Sequence, residues 1–274
     1  MPEKHVIRPT AVLEPFGPRV SICLFGRPEN WSFETNLEAP RKIAEFCLEH
    51  GIKKITAPVA DFSAVVCPCS VPPDVFMYDF GFLKKVQMLR NSADGAVIYP
   101  EEAFYVRSGD CPTLVVFDPD SGLIVCAHAG RECLYDRANL LGKAPRQHKS
   151  VVEAALCRFD SNHSRLLAFI TCGIKAGNFK HELWVGGVKR TPEVWNMLEC
   201  LKEVHSDSVD LKTGSISLNG IITAQLIAGG VQPQNIGHDL INTYGDLNEG
   251  CPVWWSYRRG DKVERNGVLV LNRS

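Results

Sequence analysis

SGDCPTLVVFDPDSGLIVCAHAGR, residues Ser108 to Arg131, decides how this chain folds. Two apolar, β-prone runs, Thr113 to Phe117 and Leu123 to Ala127, flank the turn-forming cluster Asp118-Pro119-Asp120-Ser121-Gly122. That pattern predicts a β-hairpin. With the hairpin symmetric about its turn, Cys111 and His128 stand nearly opposite each other at the open end, where facing Cβ atoms lie about 4.5–5.5 Å apart. A thiol and an imidazole so placed can share a proton or a metal ion. Asp110 precedes the cysteine, Pro112 ends ladder pairing on that side, and Gly130 lets the backbone come close after the histidine. A plain core strand needs none of these, although a buried Cys and a satisfied His would also be found at an ordinary strand end.

Outward from the hairpin, short β-rich runs (VSICLF, KKIT, SAVVC, GAVIYP, AFYVRS, LLAFIT, VWWSYRR, VLVLN) alternate with helical patterns. Ala39 to His50 reads as a helix, with Pro40 early, Ile43, Phe46 and Cys47 on one face, and Gly51 past its end. Thr191 to Val204, with Thr191 as cap, Ser217 to Ala228, stopped by Gly229-Gly230, and Val151 to Phe159 read as three more. Several neighbouring strands are joined by too few residues for a helical crossover. The expected fold is therefore α/β in the α+β sense, with mixed, largely antiparallel sheets and outer helices. That excludes a simple doubly wound nucleotide fold, and neither G-x-G-x-x-G nor G-x-x-x-x-G-K-[ST] occurs. No linker or repeat divides the chain, so residues 1–274 are expected to form one domain.

The chain has 274 residues with a formal net charge of −1, against the basic field of a nucleic-acid binder. No apolar run approaches the ~18 residues of a membrane span, and MPEKHVIRPT lacks the apolar core of a secretory signal. A cytoplasmic protein acting on small molecules is expected, with no nucleic-acid or membrane partner. Eleven cysteines without C-x-x-C then read as reduced thiols, not as disulfides or a zinc ribbon. Cys23, Cys47, Cys157 and Cys200 sit in apolar stretches and look like core filler, whereas Cys67 and Cys69 fall in a surface loop and go unexplained.

DCP followed by HAG resembles the YfiH-type family, also called laccase-domain or multicopper polyphenol oxidoreductases and purine nucleoside phosphorylases. ADG at Ala93 to Gly95, VDLKTGSISLNGIITAQLIAGGV, WWSYRRG at Trp254 to Gly260 and ERNGVLVLN carry the resemblance further. It covers roughly Lys53 onward and is weaker over residues 1–52. The resemblance implies a layered fold shared with toxin deamidases, a zinc site of two histidines and one cysteine, and action on adenosine or inosine with phosphate or water. Carried over, Cys111 and His128 are two of the metal ligands. Asp110, next to the cysteine, is a candidate catalytic residue, and because phosphate would need cationic neighbours, Arg131, Arg258 and Arg259 are the candidates to bind substrate or phosphate.

The departures matter as much. The family's third ligand, a histidine in Q-V-H, falls in Pro58-Val59-Ala60-Asp61, which offers Asp61 at best, with Cys67, Cys69 or His181 reaching in from elsewhere as the alternatives. The tryptophan after HAG is replaced by Arg131, and a family G-P by Thr171-Cys172. Zinc normally keeps three protein ligands and a water in a catalytic site. Copper chemistry is disfavoured, because the eight histidines include no H-x-H pair. Three readings follow: a zinc-dependent nucleoside phosphorylase or deaminase (a transferase or hydrolase), a metal-free Cys-His amidohydrolase like the glutamine deamidases, or a binding module that has lost catalysis. In the second, Thr171 or Asp110 would orient the imidazole.

Overall fold

The computed structural model describes residues 7–62, 64–67, 74–82, 84–136, 144–185, 188–189 and 192–273. Its principal strands are β1 (Ala11–Leu13), β2 (Val20–Phe25), β3 (Lys54–Thr56), β4 (Val66–Cys67), β5 (Asp74–Asp79), β6 (Lys85–Arg90), β7 (Gly95–Ile98), β8 (Glu102–Ser108), β9 (Thr113–Phe117), β10 (Ile124–His128), β11 (Leu167–Thr171), β12 (Ile236–His238) and β13 (Asn266–Asn272). Seven form one sheet in the order β1-β2-β13-β8-β3-β6-β5, and six form another in the order β12-β11-β9-β10-β7-β4. Parallel pairs join β3 to β6 and β8, β4 to β7, and β11 to β12. The other pairings within these two sheets are antiparallel. The helices are α1 (Glu38–Glu49), α2 (Val151–Leu156), α3 (Pro192–Val204) and α4 (Leu218–Ala228).

Side-chain alternation along the strands explains the layering. Val115 and Phe117 of β9, with Ile124 and Cys126 of β10, face Ile22, Phe104, Val106 and Val268 of the other sheet. Their neighbours Leu114, Val116, Val125 and Ala127 point the other way, into α2, α3 and α4. On the far side of the seven-stranded sheet, Phe25, Ile55, Met88 and Leu269 pack on Ile43, Phe46 and Cys47 of α1. The result is four layers, helix, sheet, sheet, helix, with apolar contact on both faces of each sheet. Truncating a fully buried residue such as Leu114 to Ala would cost about 2–5 kcal/mol. Among the described residues no helix is long and apolar enough to cross a membrane.

The mixed fold with outer helices is the one the sequence predicts, and three local readings change. VWWSYRR is a loop, because its polar groups are held by side chains instead of a ladder: Trp254 Nε1 donates to Asp246 at 3.2 Å, and the Trp255 N–H to Asn266 Oδ1 at 2.8 Å. The helix from Val151 ends at Leu156, and Cys157 is exposed instead of core filler, while Cys200 is half-buried. Strands β5 and β6 were not foreseen, since neither shows clean alternation in sequence. Thr191 and Cys69 lie outside the described residues.

Candidate functional site

The hairpin forms as β9 and β10, and its register is set by the turn. Asp118 N–H donates to the Leu123 carbonyl at 2.9 Å and Gly122 N–H to the Asp118 carbonyl at 2.8 Å. Gly122 takes a φ of +72°, which favours glycine. This closure pairs His128 with Thr113. Beyond that pair, the Ala129 N–H donates to the Pro112 carbonyl at 2.8 Å, so Cys111 faces Gly130 and not His128. Cys111 and His128 are diagonal neighbours on one face of the sheet, and they meet because Gly130 has no side chain. A Cβ there would fall 2.8 Å from His128 Cε1 and 3.0 Å from Cys111 Sγ.

Strand β7 supplies the next group. Gly95 pairs with Ala127, and one step on, the His128 N–H donates to the Asp94 carbonyl at 2.7 Å. Asp94 therefore lies beside His128 on the same face, with Oδ1 at 3.8 Å from Nδ1. Both residues are nearly inaccessible, at 0% and 5% exposure. The Asp94 carboxylate is held in place by the N–H groups of Phe62 and Ala64, at 3.0 and 2.8 Å. On the other flank, Thr171 pairs with Thr113, completing a row Asp94, His128, Thr113, Thr171 across four strands. The Thr113 hydroxyl is buried with no hydrogen-bond partner among the described residues.

The imidazole thus has two occupied edges. Asp94 and the Cys133 thiol, the latter at 3.9 Å, approach Nδ1, whereas Cys111 lies towards Nε2 and Cε1. Burial alone would lower the pKa of His128. The Cys111 charge and the neighbouring Asp94 and Cys133 side chains outweigh it and hold the ring well above the usual imidazole range. Burial also works to raise the pKa of Asp94, but His128 and the two backbone N–H groups bring it below the usual carboxylate value.

Asp110 occupies a different environment. Thr243 Oγ1 and Ser256 Oγ donate to its Oδ1 at 2.8 and 2.7 Å, and the Arg258 N–H to its Oδ2 at 2.7 Å. It fastens two distant loops to the shoulder of Cys111, and burial raises its pKa. The Thr171 hydroxyl donates to Asp239. The carboxylate that lies beside the imidazole, at 3.8 Å from Nδ1, is that of Asp94. Asp61 is exposed and accepts a hydrogen bond from Ser92 Oγ at 2.6 Å.

Among the described residues, one group of three His, Cys, Asp or Glu side chains can hold a metal ion: Asp94, His128 and Cys133, whose ligand atoms lie within 4.8 Å of one another. Cys111 and Asp61 are not part of it. Ligands of a tetrahedral zinc ion stand about 3.3–3.8 Å apart, so the donors suit such an ion in kind, while the 3.8 and 3.9 Å separations around Nδ1 would have to close by a few tenths of an ångström to hold it. Burial pushes the Cys133 thiol up to about 11, and an ion would have to displace that proton. Asp94 and Cys133 were missed in the sequence. Only the ADG motif hinted at the first, and nothing marked the second.

Of the arginines, Arg259 is committed to structure: it donates to the Tyr244 carbonyl at 3.0 Å and to Asp261 at 2.8 Å, and to the Trp254 carbonyl. Arg131 follows Gly130 and its guanidinium pairs with Glu132, whereas the Arg258 N–H is bonded to Asp110 and its side chain donates to the Lys180 carbonyl at 3.1 Å. A cavity of about 620 Å³ lies elsewhere: it is lined by Leu134, Leu156, Leu201, His205 and Gln225 in the helical layer.

A family model described as multi-copper polyphenol oxidoreductase laccase matches residues 75–271. No curated protein matches the chain significantly. Among solved structures, the chain is similar to the Neisseria meningitidis protein NMB0706, at a TM-score of 0.62 and 16% identity, covering 96% of this chain and 98% of that one. It is also similar to Bacillus licheniformis hypothetical protein YfiH (0.59, 15%, 93% and 93%) and to YlmD from Geobacillus stearothermophilus (0.59, 15%, 96% and 94%). At these identities the likeness is one of fold.

Proposed function

The chain belongs to the multi-copper polyphenol oxidoreductase laccase family, and on that footing we propose that it is an enzyme cleaving a C–N bond of a purine nucleoside at Cys111 and His128, by deamination of adenosine. The purine nucleoside is drawn from the sequence resemblance. The choice of reaction rests on one observation: the His128 ring lies between a thiol at one edge and a buried carboxylate at the other. That order of groups makes a nucleophile, a proton carrier and an orienting charge.

In this reading His128 takes the Cys111 proton, and Asp94 holds the resulting imidazolium. The thiolate adds to C6 of the purine, forming a C–S bond. The C6–N bond then breaks, and ammonia leaves with the proton that His128 returns. Water, deprotonated by His128, adds to the same carbon, and the C–S bond breaks to restore the thiol pair with inosine as product. Adenosine and water give inosine and ammonia, with no oxidant required.

A second reading is favoured by the Asp94–His128–Cys133 group, whose oxygen, nitrogen and sulfur donors suit zinc. A zinc ion held there would supply a Lewis acid and a water of lowered pKa. His128 would then be fixed through Nδ1, leaving its Nε2 edge towards Cys111.

Purified protein incubated with adenosine should release ammonia, and Cys111→Ala should release none. Iodoacetamide should modify Cys111 faster than a free thiol at mildly acidic pH. Zinc near one per chain, lost in Cys133→Ala together with activity, would favour the second reading. Free base from inosine and phosphate would move the chemistry to phosphorolysis. Silence of the wild type in every assay would leave a binding module.

A further inference from the structure

We infer that the cavity in the helical layer binds an uncharged, largely apolar molecule carrying a lactam, a C=O and an N–H side by side on one edge of a ring. Cys111, His128, Asp94 and Cys133 are not among its described lining residues, so this site is separate from the reacting centre proposed above. Its volume of about 620 Å³ suits a whole small molecule. Leu156 of α2, Leu201 of α3 and Ala224 of α4 wall it from three helices, and Leu134 joins them from the segment after β10.

Two polar side chains interrupt this apolar wall: His205, just past α3, and Gln225 of α4. Gln225 Nε2 lies 2.7 Å from the Leu134 carbonyl and 3.3 Å from His205 Nε2. A carbonyl can only accept, so the group facing it is the NH2 of the amide, and the same nitrogen donates to the imidazole. His205 Nε2 is then an acceptor. Burial lowers the His205 pKa, so near neutral pH the ring is uncharged and its single proton sits on Nδ1. This leaves one donor, His205 Nδ1–H, and one acceptor, Gln225 Oε1. Both are buried with no hydrogen-bond partner among the described residues. Each is two bonds from the 3.3 Å contact between the side chains, which keeps both within reach of one ligand group. Buried polar atoms are ordinarily paired, and here the bound molecule supplies the partners.

An uncharged donor beside an uncharged acceptor is matched by a group with the two roles exchanged. A lactam offers its C=O to His205 and its N–H to Gln225. A carboxylate lacks the N–H, and an ammonium lacks the C=O. The carboxylates on the described wall do not call for a cation either: Asp136 accepts the Arg146 N–H at 2.7 Å, and Glu153 accepts the Lys149 N–H at 2.6 Å. The leucines take the apolar remainder of the ligand.

2-Quinolinone, a lactam fused to an apolar ring, is the probe. N-methyl-2-quinolinone, which has lost the donor, and 2-naphthoate, which is anionic, are the comparisons. Titration calorimetry on the whole chain should show 2-quinolinone binding about tenfold more tightly than its N-methyl derivative, the effect of ~1.4 kcal/mol. Gln225→Met, which keeps the length of the side chain and removes its amide, should bring the two affinities together. Ala228→Phe places a ring on the same wall without touching the polar pair, and should abolish binding of both while the thermal unfolding midpoint holds. Bound 2-quinolinone should slow N-ethylmaleimide labelling of the half-buried Cys200, which also lines the cavity, and leave alkylation of Cys111 at its own rate. Absence of binding at millimolar 2-quinolinone, equal affinity for the N-methyl derivative, or tighter binding of 2-naphthoate overturns the lactam site. Protection of Cys111 in place of Cys200, or of neither thiol, overturns its location.

Discussion

Asp94 and Asp110 are both buried carboxylates beside the same thiol–imidazole pair, and they do opposite work. Asp94 comes from a neighbouring strand, is held by two backbone N–H groups and turns its charge to His128. Asp110 adjoins Cys111 in the chain but spends its oxygens on Thr243, Ser256 and Arg258. The first has a lowered pKa because His128 and two backbone N–H groups outweigh burial, and the second a raised one because burial outweighs its hydrogen bonds and the Arg258 charge. Adjacency in sequence located the fastener, and adjacency across strands located the group that faces the histidine.

The largest separation between the two should come from Asp94→Asn. Turnover is expected to fall by roughly 10²–10⁴-fold, the range for a positioned proton-transfer system, with little loss of fold. The alkaline limb of the pH–rate profile should move to lower pH, since His128 loses the charge that raises its pKa. Undiminished turnover would remove Asp94 from the mechanism. Asp110→Ala should show the reverse pattern, destabilising by about 3 kcal/mol in urea unfolding while the folded fraction keeps its alkylation rate at Cys111. A lost rate at full stability would make the two carboxylates alike.

Gly130→Ala tests the meeting point itself. The added methyl group collides with both His128 and Cys111, and should cost about 1–3 kcal/mol along with most of the turnover. A fully active, fully stable variant would mean the pair need not touch.

Stability against pH gives a smaller contrast. Asp94, with its lowered pKa, contributes stability that is fully present above the usual carboxylate value and lost as pH falls through its own. His128, with its raised pKa, contributes stability fully present below the usual imidazole value and lost as pH rises through its own. Asp110 runs counter to Asp94, its burial penalty easing as pH falls through its raised pKa. Urea midpoints across pH should lose the acid-side decline in Asp94→Asn and steepen it in Asp110→Ala. The smallest effect is expected from Asp61→Asn, within about 0.5 kcal/mol and without change in turnover, because that side chain is exposed and accepts its hydrogen bond from Ser92 at the surface.

The hairpin, its turn and the helices near Ile43 and Ile221 were legible because each is written in local periodicity and breaker residues. The one-residue step that puts Gly130 before Cys111 was not, since it depends on how Asp118 and Leu123 close the turn. Asp94 escaped because β7 and β10 are not consecutive, and no hairpin rule pairs them. Cys133 looked like any small apolar residue until the short turn at Arg131–Cys133 carried it back to the imidazole. VWWSYRR misled because aromatic, β-prone residues can equally be loop anchors.

Strand β13 sits between β2 and β8, pairing Val268 with Leu24 and with Val106. The loop clasped by Asp110 lies just before it, so the site is tied to the most sequence-distant pairing in the molecule. Contacts that must close long loops form slowly. In refolding, the thiol pair should therefore acquire its reactivity late, with the final cooperative step, and a partly folded chain would carry Cys111 as an ordinary thiol.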